Sequence, residues 1–136
     1  FHADLLCKPV INSEQDRLTL VETAISANAS FFLGTDSAPH PTHAKYGKDA
    51  KAGIFNAAYG LEVIAEIFAT ENKLENLAAF TSVNGATFYG YEPSHETITL
   101  HRSSLDPEKA THISTENGNQ IVLFGAEEAS QWTINT

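Results

Sequence analysis

The sequence has no methionine and one cysteine, Cys7, and its eight Lys plus Arg stand against seventeen Asp plus Glu. A lone cysteine excludes an internal disulfide. With no charged stretch leading into an apolar secretory run, a reducing cytoplasm is the expected setting. Basic residues are scarce, and the formal net charge is −9. Binding to polyanions rests on Lys and Arg neutralising phosphates, so nucleic acid and anionic membrane surfaces are excluded as partners. Long apolar runs are also missing. Phe31–Leu33 and Ile121–Phe124 are among the longest, far short of the roughly 20 residues that cross a bilayer. The sequence carries no G-x-G-x-x-G, no Walker loop, no H-E-x-x-H and no G-x-S-x-G, which removes support for nucleotide binding and for serine nucleophile chemistry. The first residue is Phe, and the start reads like the middle of a domain, so the natural beginning is expected to lie upstream.

What remains is ordinary globular composition, with 42% hydrophobic and 18% charged residues in 136. This is enough chain for one domain or for part of a larger one. Residues 12–28 read as a helix lying on a partner surface. Asn12 or Ser13 can cap it, Asp16 stands three after Ser13 as in a capping box, and Leu18, Val21 and Ile25 share a face. Leu5–Cys7 before it and Phe31–Leu33 after it are apolar runs without alternation, the pattern of consecutive parallel strands buried on both faces. The unit is β, α, β.

Residues 36–53 follow as a long loop. Ile54 to Thr70 then carries an apolar stripe at helical spacing, through Ala58, Leu61, Ala65 and Phe68. Shorter helical patterns cover Lys73–Phe80 and Asn84–Tyr89. Beyond Gly90 the texture changes to short alternating segments at Thr97–His101, Gln120–Phe124 and Gln131–Ile134, read as small antiparallel strands.

Chemistry concentrates in Phe31 to His40, FFLGTDSAPH. Ligands of α/β proteins bind outside the carboxyl ends of parallel strands, so an acid delivered there, Asp36, is the first candidate; the alternative is that Asp36 or Ser37 makes an Asx or Ser turn that merely closes the strand. His40 is braced by Pro39 and Pro41 and is either a directed imidazole or a solvated loop residue. His43 completes an H-x-x-H spacing, which with no other clustered Cys or His is a weak zinc signal. Lys45, Lys48 and Lys51 could draw an anionic substrate or simply be solvated. His95, His101 and His112 read as surface residues and Cys7 as a small buried hydrophobe.

FFLGTDSAPH, with CKPV at Cys7–Val10, AGIFNA at Ala52–Ala57 and SVNGATFYG at Ser82–Gly90, resembles the carboxyl-terminal part of dihydroorotases of the single-domain bacterial and fungal type, within the amidohydrolase superfamily. The resemblance runs in order from about Cys7 to about Leu100. It implies an α/β chain: residues 1–90 as the last βα units of a (βα)8 metal-dependent barrel, and residues 91–136 as a β-rich extension. The implied activity is reversible, zinc-dependent hydrolysis of the cyclic amide of dihydroorotate to N-carbamoyl-aspartate in pyrimidine synthesis. In that reading Asp36 is the catalytic and metal-ligating carboxylate, and His40, Ala52 and Lys8 contact the substrate.

The family's remaining ligands, two zinc ions' worth of histidines and a carboxylated lysine, and its substrate-gripping Arg and Asn would belong to a missing amino-terminal part. A complete barrel needs about 200 residues or more. The isolated piece is therefore expected to be inactive, to hold zinc weakly or not at all, and to self-associate through open strand edges, the parent being a homodimer by resemblance. Two alternatives stand beside this reading: a stand-alone, non-catalytic binding or regulatory module descended from an amidohydrolase, and a hydantoinase-like cyclic amidase.

Overall fold

The structure is a computed structural model that describes residues 2–10, 13–103, 109–128 and 131–135. Helices occupy the first two-thirds of the chain and strands the last third. The first helix, α1, spans Glu14–Ile25. Ser13 begins it as the spacing predicts: its hydroxyl accepts the Asp16 amide at 3.2 Å and donates to the Asp16 carboxylate at 2.7 Å, so the side chain satisfies an amide the helix leaves unpaired. Asn12, the other capping candidate, lies outside the described residues. No residue of α1 is buried, and Leu18 and Leu20 are 39% and 56% exposed. The partner surface expected beneath this helix is not supplied by the described residues.

The two apolar runs flanking α1 differ from expectation. Leu5 closes a single 3-10 turn, Ala3–Leu5, and Phe31–Leu33 is irregular, so the expected parallel strand pair is not formed among the described residues. The physical reason lies in where their backbone bonds go. A strand needs a ladder, whereas the Leu33 amide bonds singly to the Phe80 carbonyl and Phe31 accepts the Asn84 side-chain amide. The loop after the second run contains one helical turn, α2, Thr42–Lys45.

Helix α3 spans Gly60–Thr70 and starts six residues later than the apolar stripe suggests. Residues 54–57 are held out of it: the Ile54 carbonyl accepts the Ala38 amide, the Phe55 carbonyl accepts the Phe124 amide, and the Ala57 amide reaches the Ser37 hydroxyl. Ala65 and Phe68 of α3 are fully buried, with Phe68 tilted against Phe80 at 5.6 Å between ring centres. A 3-10 turn at Leu74–Asn76, a π-helical turn at Ala79–Val83 and α4 at Asn84–Phe88 follow in close succession.

Four strands close the chain: β1 at Thr99–Arg102, β2 at His112–Ser114, β3 at Gln120–Val122 and β4 at Trp132–Asn135. They pair antiparallel as two ribbons, β1 with β4 (Leu100 opposite Ile134) and β2 with β3 (Ile113 opposite Ile121). Three of the four match the alternating segments read from sequence; β2 is additional. The tail packs on α3, burying Leu123, Ala126 and Trp132. Contact is so close at Gly125 that a Cβ there would lie 2.6 Å from a Val63 methyl, and its φ of +94° suits glycine alone. Along α3 an open groove of about 620 Å³ runs among Leu33, Leu61, Ile64, Leu77, Ile98 and Leu100. Among the described residues no helix is long and apolar enough to cross a membrane.

Candidate functional site

The segment that carries Asp36 is held by its neighbours at 54–57. Asn56 donates its side-chain amide to the Thr35 carbonyl at 2.8 Å, and the Ser37 hydroxyl and Ala38 amide bond on either side of the same stretch. Asp36 lies between these ties with φ of +41°, a left-handed conformation that Asp tolerates better than most residues. Its side chain is exposed and makes no hydrogen bond or ion pair with any described residue. The Asx turn is therefore not formed, and the carboxylate is presented at the end of the apolar run with no partner among the described residues.

His40 and Ala52, twelve residues apart, meet: the imidazole Nε2 lies 3.2 Å from the Ala52 carbonyl. Gly53 explains how the chain comes so close. A Cβ at this position would lie 2.8 Å from Ala38 and 2.9 Å from the His40 ring, and its φ is +144°. The Gly53 amide donates to the Leu6 carbonyl at 2.9 Å, which brings the Leu6–Lys8 segment to the same place. His40 and Ala52 are thus brought into contact. Lys8, two residues beyond Leu6, is exposed, and no described residue holds its ammonium.

Lys45 is the residue that sequence reasoning missed. It is 4% exposed, and its ammonium donates to the Leu6 carbonyl at 3.0 Å and the Gly53 carbonyl at 2.5 Å. The solvated-loop reading therefore fails for Lys45, whereas Lys48 and Lys51 are exposed. Three lysines at even spacing in a loop look alike in sequence, and only the fold selects which one is covered. The next residue, Tyr46, donates its hydroxyl to the Asp4 carboxylate, and that bond raises the tyrosine's pKa above its ordinary value. Asp4, His40, Lys45 and Gly53 share the wall of a small cavity of about 30 Å³.

His43, His95, His101 and His112 are all exposed, and the H-x-x-H spacing gathers no further donor. Cys7 is half-buried rather than covered. Among the described residues no three His, Cys, Asp or Glu side chains come together as a metal cage. Zinc takes about four ligands, and Asp36 offers one carboxylate, so the described residues alone do not fit a binuclear zinc site.

No family model matches the chain. Individual proteins do: a dihydroorotase of Parasynechococcus marenigrum is 39% identical over 97% of the chain, and one of Ruegeria pomeroyi is 46% identical over 94%. The chain is a relative of the dihydroorotases. It spans about 36% of the length of each of those two proteins. The backbone agrees with the sequence. A crystal structure of Saccharomyces cerevisiae dihydroorotase in complex with 5-fluoroorotic acid superposes with a TM-score of 0.87 and 31% identity, over 98% of this chain and 38% of that one. Campylobacter jejuni dihydroorotase superposes at 0.80 with 28% identity, over all of this chain and 39% of that one. The likeness to dihydroorotases therefore reaches through the strand tail, beyond Leu100, where the sequence motifs end.

Proposed function

We propose that the chain is the carboxyl-terminal part of a longer dihydroorotase, a cytoplasmic, zinc-dependent hydrolase of pyrimidine synthesis that opens and closes the ring of dihydroorotate. The observation that carries this reading is identity of about 40% along nearly the whole chain to proteins of that one activity. In this reading residues 1–90 are the last βα units of the barrel and residues 91–136 an extension. The missing amino-terminal part covers the open groove and gives the runs at Leu5–Cys7 and Phe31–Leu33 their ladder partners. The parent is a homodimer that binds no nucleic acid or membrane.

The roles of the residues follow from their chemistry. Hydrolysis adds water to the amide carbon, breaks the ring C–N bond and leaves a proton on the nitrogen. Asp36, a carboxylate without a protein partner, is suited to take the proton from the attacking water and return it to the leaving nitrogen. The substrate is an anion through its own carboxylate. His40 is an imidazole held in one orientation against Ala52, and the Ala52 amide donates to no described residue, so both can face that anion. Lys8 adds an exposed positive charge on the segment that Leu6 ties to Gly53. The zinc ions would need ligands from the missing part, with Asp36 contributing one.

The test is an assay of the longer chain with dihydroorotate. Asp36→Asn should lower turnover by about 100-fold or more, with the unfolding midpoint of the metal-free protein unchanged because Asp36 is exposed and pairs with no described residue. Wild-type levels of turnover in that variant overturn the assignment. Hydantoin, which lacks the ring carboxylate, should be turned over poorly; preference for it supports the hydantoinase reading. The 136-residue chain alone should be inactive with added zinc, and turnover there refutes the dependence on a missing part.

A further inference from the structure

Resting on the function proposed above, we infer that Lys45 is a positioning residue for substrate binding: its buried ammonium clamps the Leu6 and Gly53 carbonyls and so sets the place of Ala52 and His40. Three observations converge on it. The Leu6 carbonyl accepts both the Gly53 amide at 2.9 Å and the Lys45 ammonium at 3.0 Å, and the same ammonium holds the Gly53 carbonyl at 2.5 Å, so the three residues form a closed triangle. Gly53 is pressed against Ala38 and the His40 ring with no room for a Cβ, and the carbonyl of the preceding residue, Ala52, is the one that His40 holds. Any shift of Gly53 therefore moves both groups proposed to face the substrate anion. Finally, the ammonium is costly where it sits. Lys45 is 4% exposed and pairs with no carboxylate of the described residues. Burying an unpaired cation opposes folding, and a long apolar side chain would fill the same space at lower cost. A charge held there at that cost fits a role in placing the adjoining His40 and Ala52, the groups proposed to face the anion.

The experiment compares Lys45→Met and Lys45→Arg with wild type in the longer chain, by steady-state kinetics with dihydroorotate and by thermal unfolding. Lys45→Met should raise KM about tenfold while kcat stays within about threefold, because the groups displaced bind the substrate and do not transfer the proton. Lys45→Arg keeps the donors and should recover part of the loss. A purely structural role predicts the opposite pattern: a lower unfolding midpoint and less active protein with KM unchanged. If Lys45→Met does not fold, Lys45→Arg decides alone; a rise in KM of about threefold supports the inference and an unchanged KM overturns it. A wild-type longer chain without dihydroorotate turnover overturns the functional reading and this inference with it. An active wild type with unchanged KM in the variants overturns the inference only.

Discussion

Helix α3 and the strand tail bury each other's side chains, whereas α1 and the apolar runs beside it are tied to the rest by isolated hydrogen bonds, such as Leu33 to Phe80 and Asn76 to Ile25. On the first side, Phe68 and Ala65 are fully covered and Trp132 is 7% exposed. The Trp132 indole donates to Glu66 of α3 at 2.6 Å, and the Arg102 guanidinium lies over the Trp132 ring at 5.9 Å and 3.8 Å from the same Glu66. On the second side, no residue of α1 is fully buried, and Val21, Ala24 and Ile25 are only half covered. Phe31, Phe88 and Tyr89 are 46%, 68% and 66% exposed although Phe32, Phe88 and Tyr89 stack among themselves. Both regions are rich in apolar residues, so composition does not separate them. The difference is whether a segment finds its partner among the described residues.

Phe68→Ala should break the comparison most severely. It removes a fully buried ring at the junction of α3 and the 79–83 turn, at a cost of about 3–5 kcal/mol. That is a large share of the roughly 5–15 kcal/mol that holds an ordinary domain together. Denaturant unfolding of the chain measures it. A loss no greater than that of an exposed α1 substitution, such as Leu20→Ala, would mean that the two regions are not unequal after all.

Trp132→Phe sharpens the comparison at smaller scale. It keeps most of the aromatic volume but deletes the N–H that meets Glu66, leaving a half-covered carboxylate with Arg102 as its remaining partner. A hydrogen bond to a charged group in such a place is worth about 1–3 kcal/mol. The same unfolding measurement reads it, and no change would show that packing alone joins the tail to α3.

The two regions were unequally legible in the sequence for the same reason that they are unequally stable. Ser13 capping, the α3 stripe and three tail strands could be read because their signals are local: a hydroxyl before a helix, a 3.6 period, alternation ending at Gly or Asn. The run Phe31–Leu33 gives a clear apolar signal too, but a buried strand is defined by neighbours on both sides, and sequence cannot say whether they are present. The start of α3 lies later than its stripe predicts for a related reason. Ile54 and Ala58 fit the stripe, yet the carbonyls of Ile54 and Phe55 are taken by Ala38 and Phe124, residues distant in sequence. Of the residues proposed for the site, Asp36 and His40 stand out in the sequence by their place after an apolar run and between two prolines. Ala52 has no chemistry to announce it, and Lys45 reads like its solvated neighbours until the loop folds it inward.

The smallest effect is expected at the exposed first turn of α1, where Glu14 and Arg17 form an ion pair at 2.6 Å. The hydrogen bond from Arg17, aided by its charge, lowers the Glu14 pKa below its usual 4.5. A carboxyl group whose pKa is lower in the folded state stabilises that state above its unfolded pKa, and this contribution disappears as pH falls through the lowered value. Both side chains are more than half exposed, at 52% and 68%, so solvent and salt screen most of the attraction. Arg17→Ala should therefore shift the unfolding midpoint barely at neutral pH and not at all once Glu14 is protonated in both states. Added salt should erase the neutral-pH shift as well. A shift as large as that of Trp132→Phe, persisting in salt, would show that α1 is anchored through this turn, and the contrast between a tail that supplies its own partners and a helix that lacks one would fail.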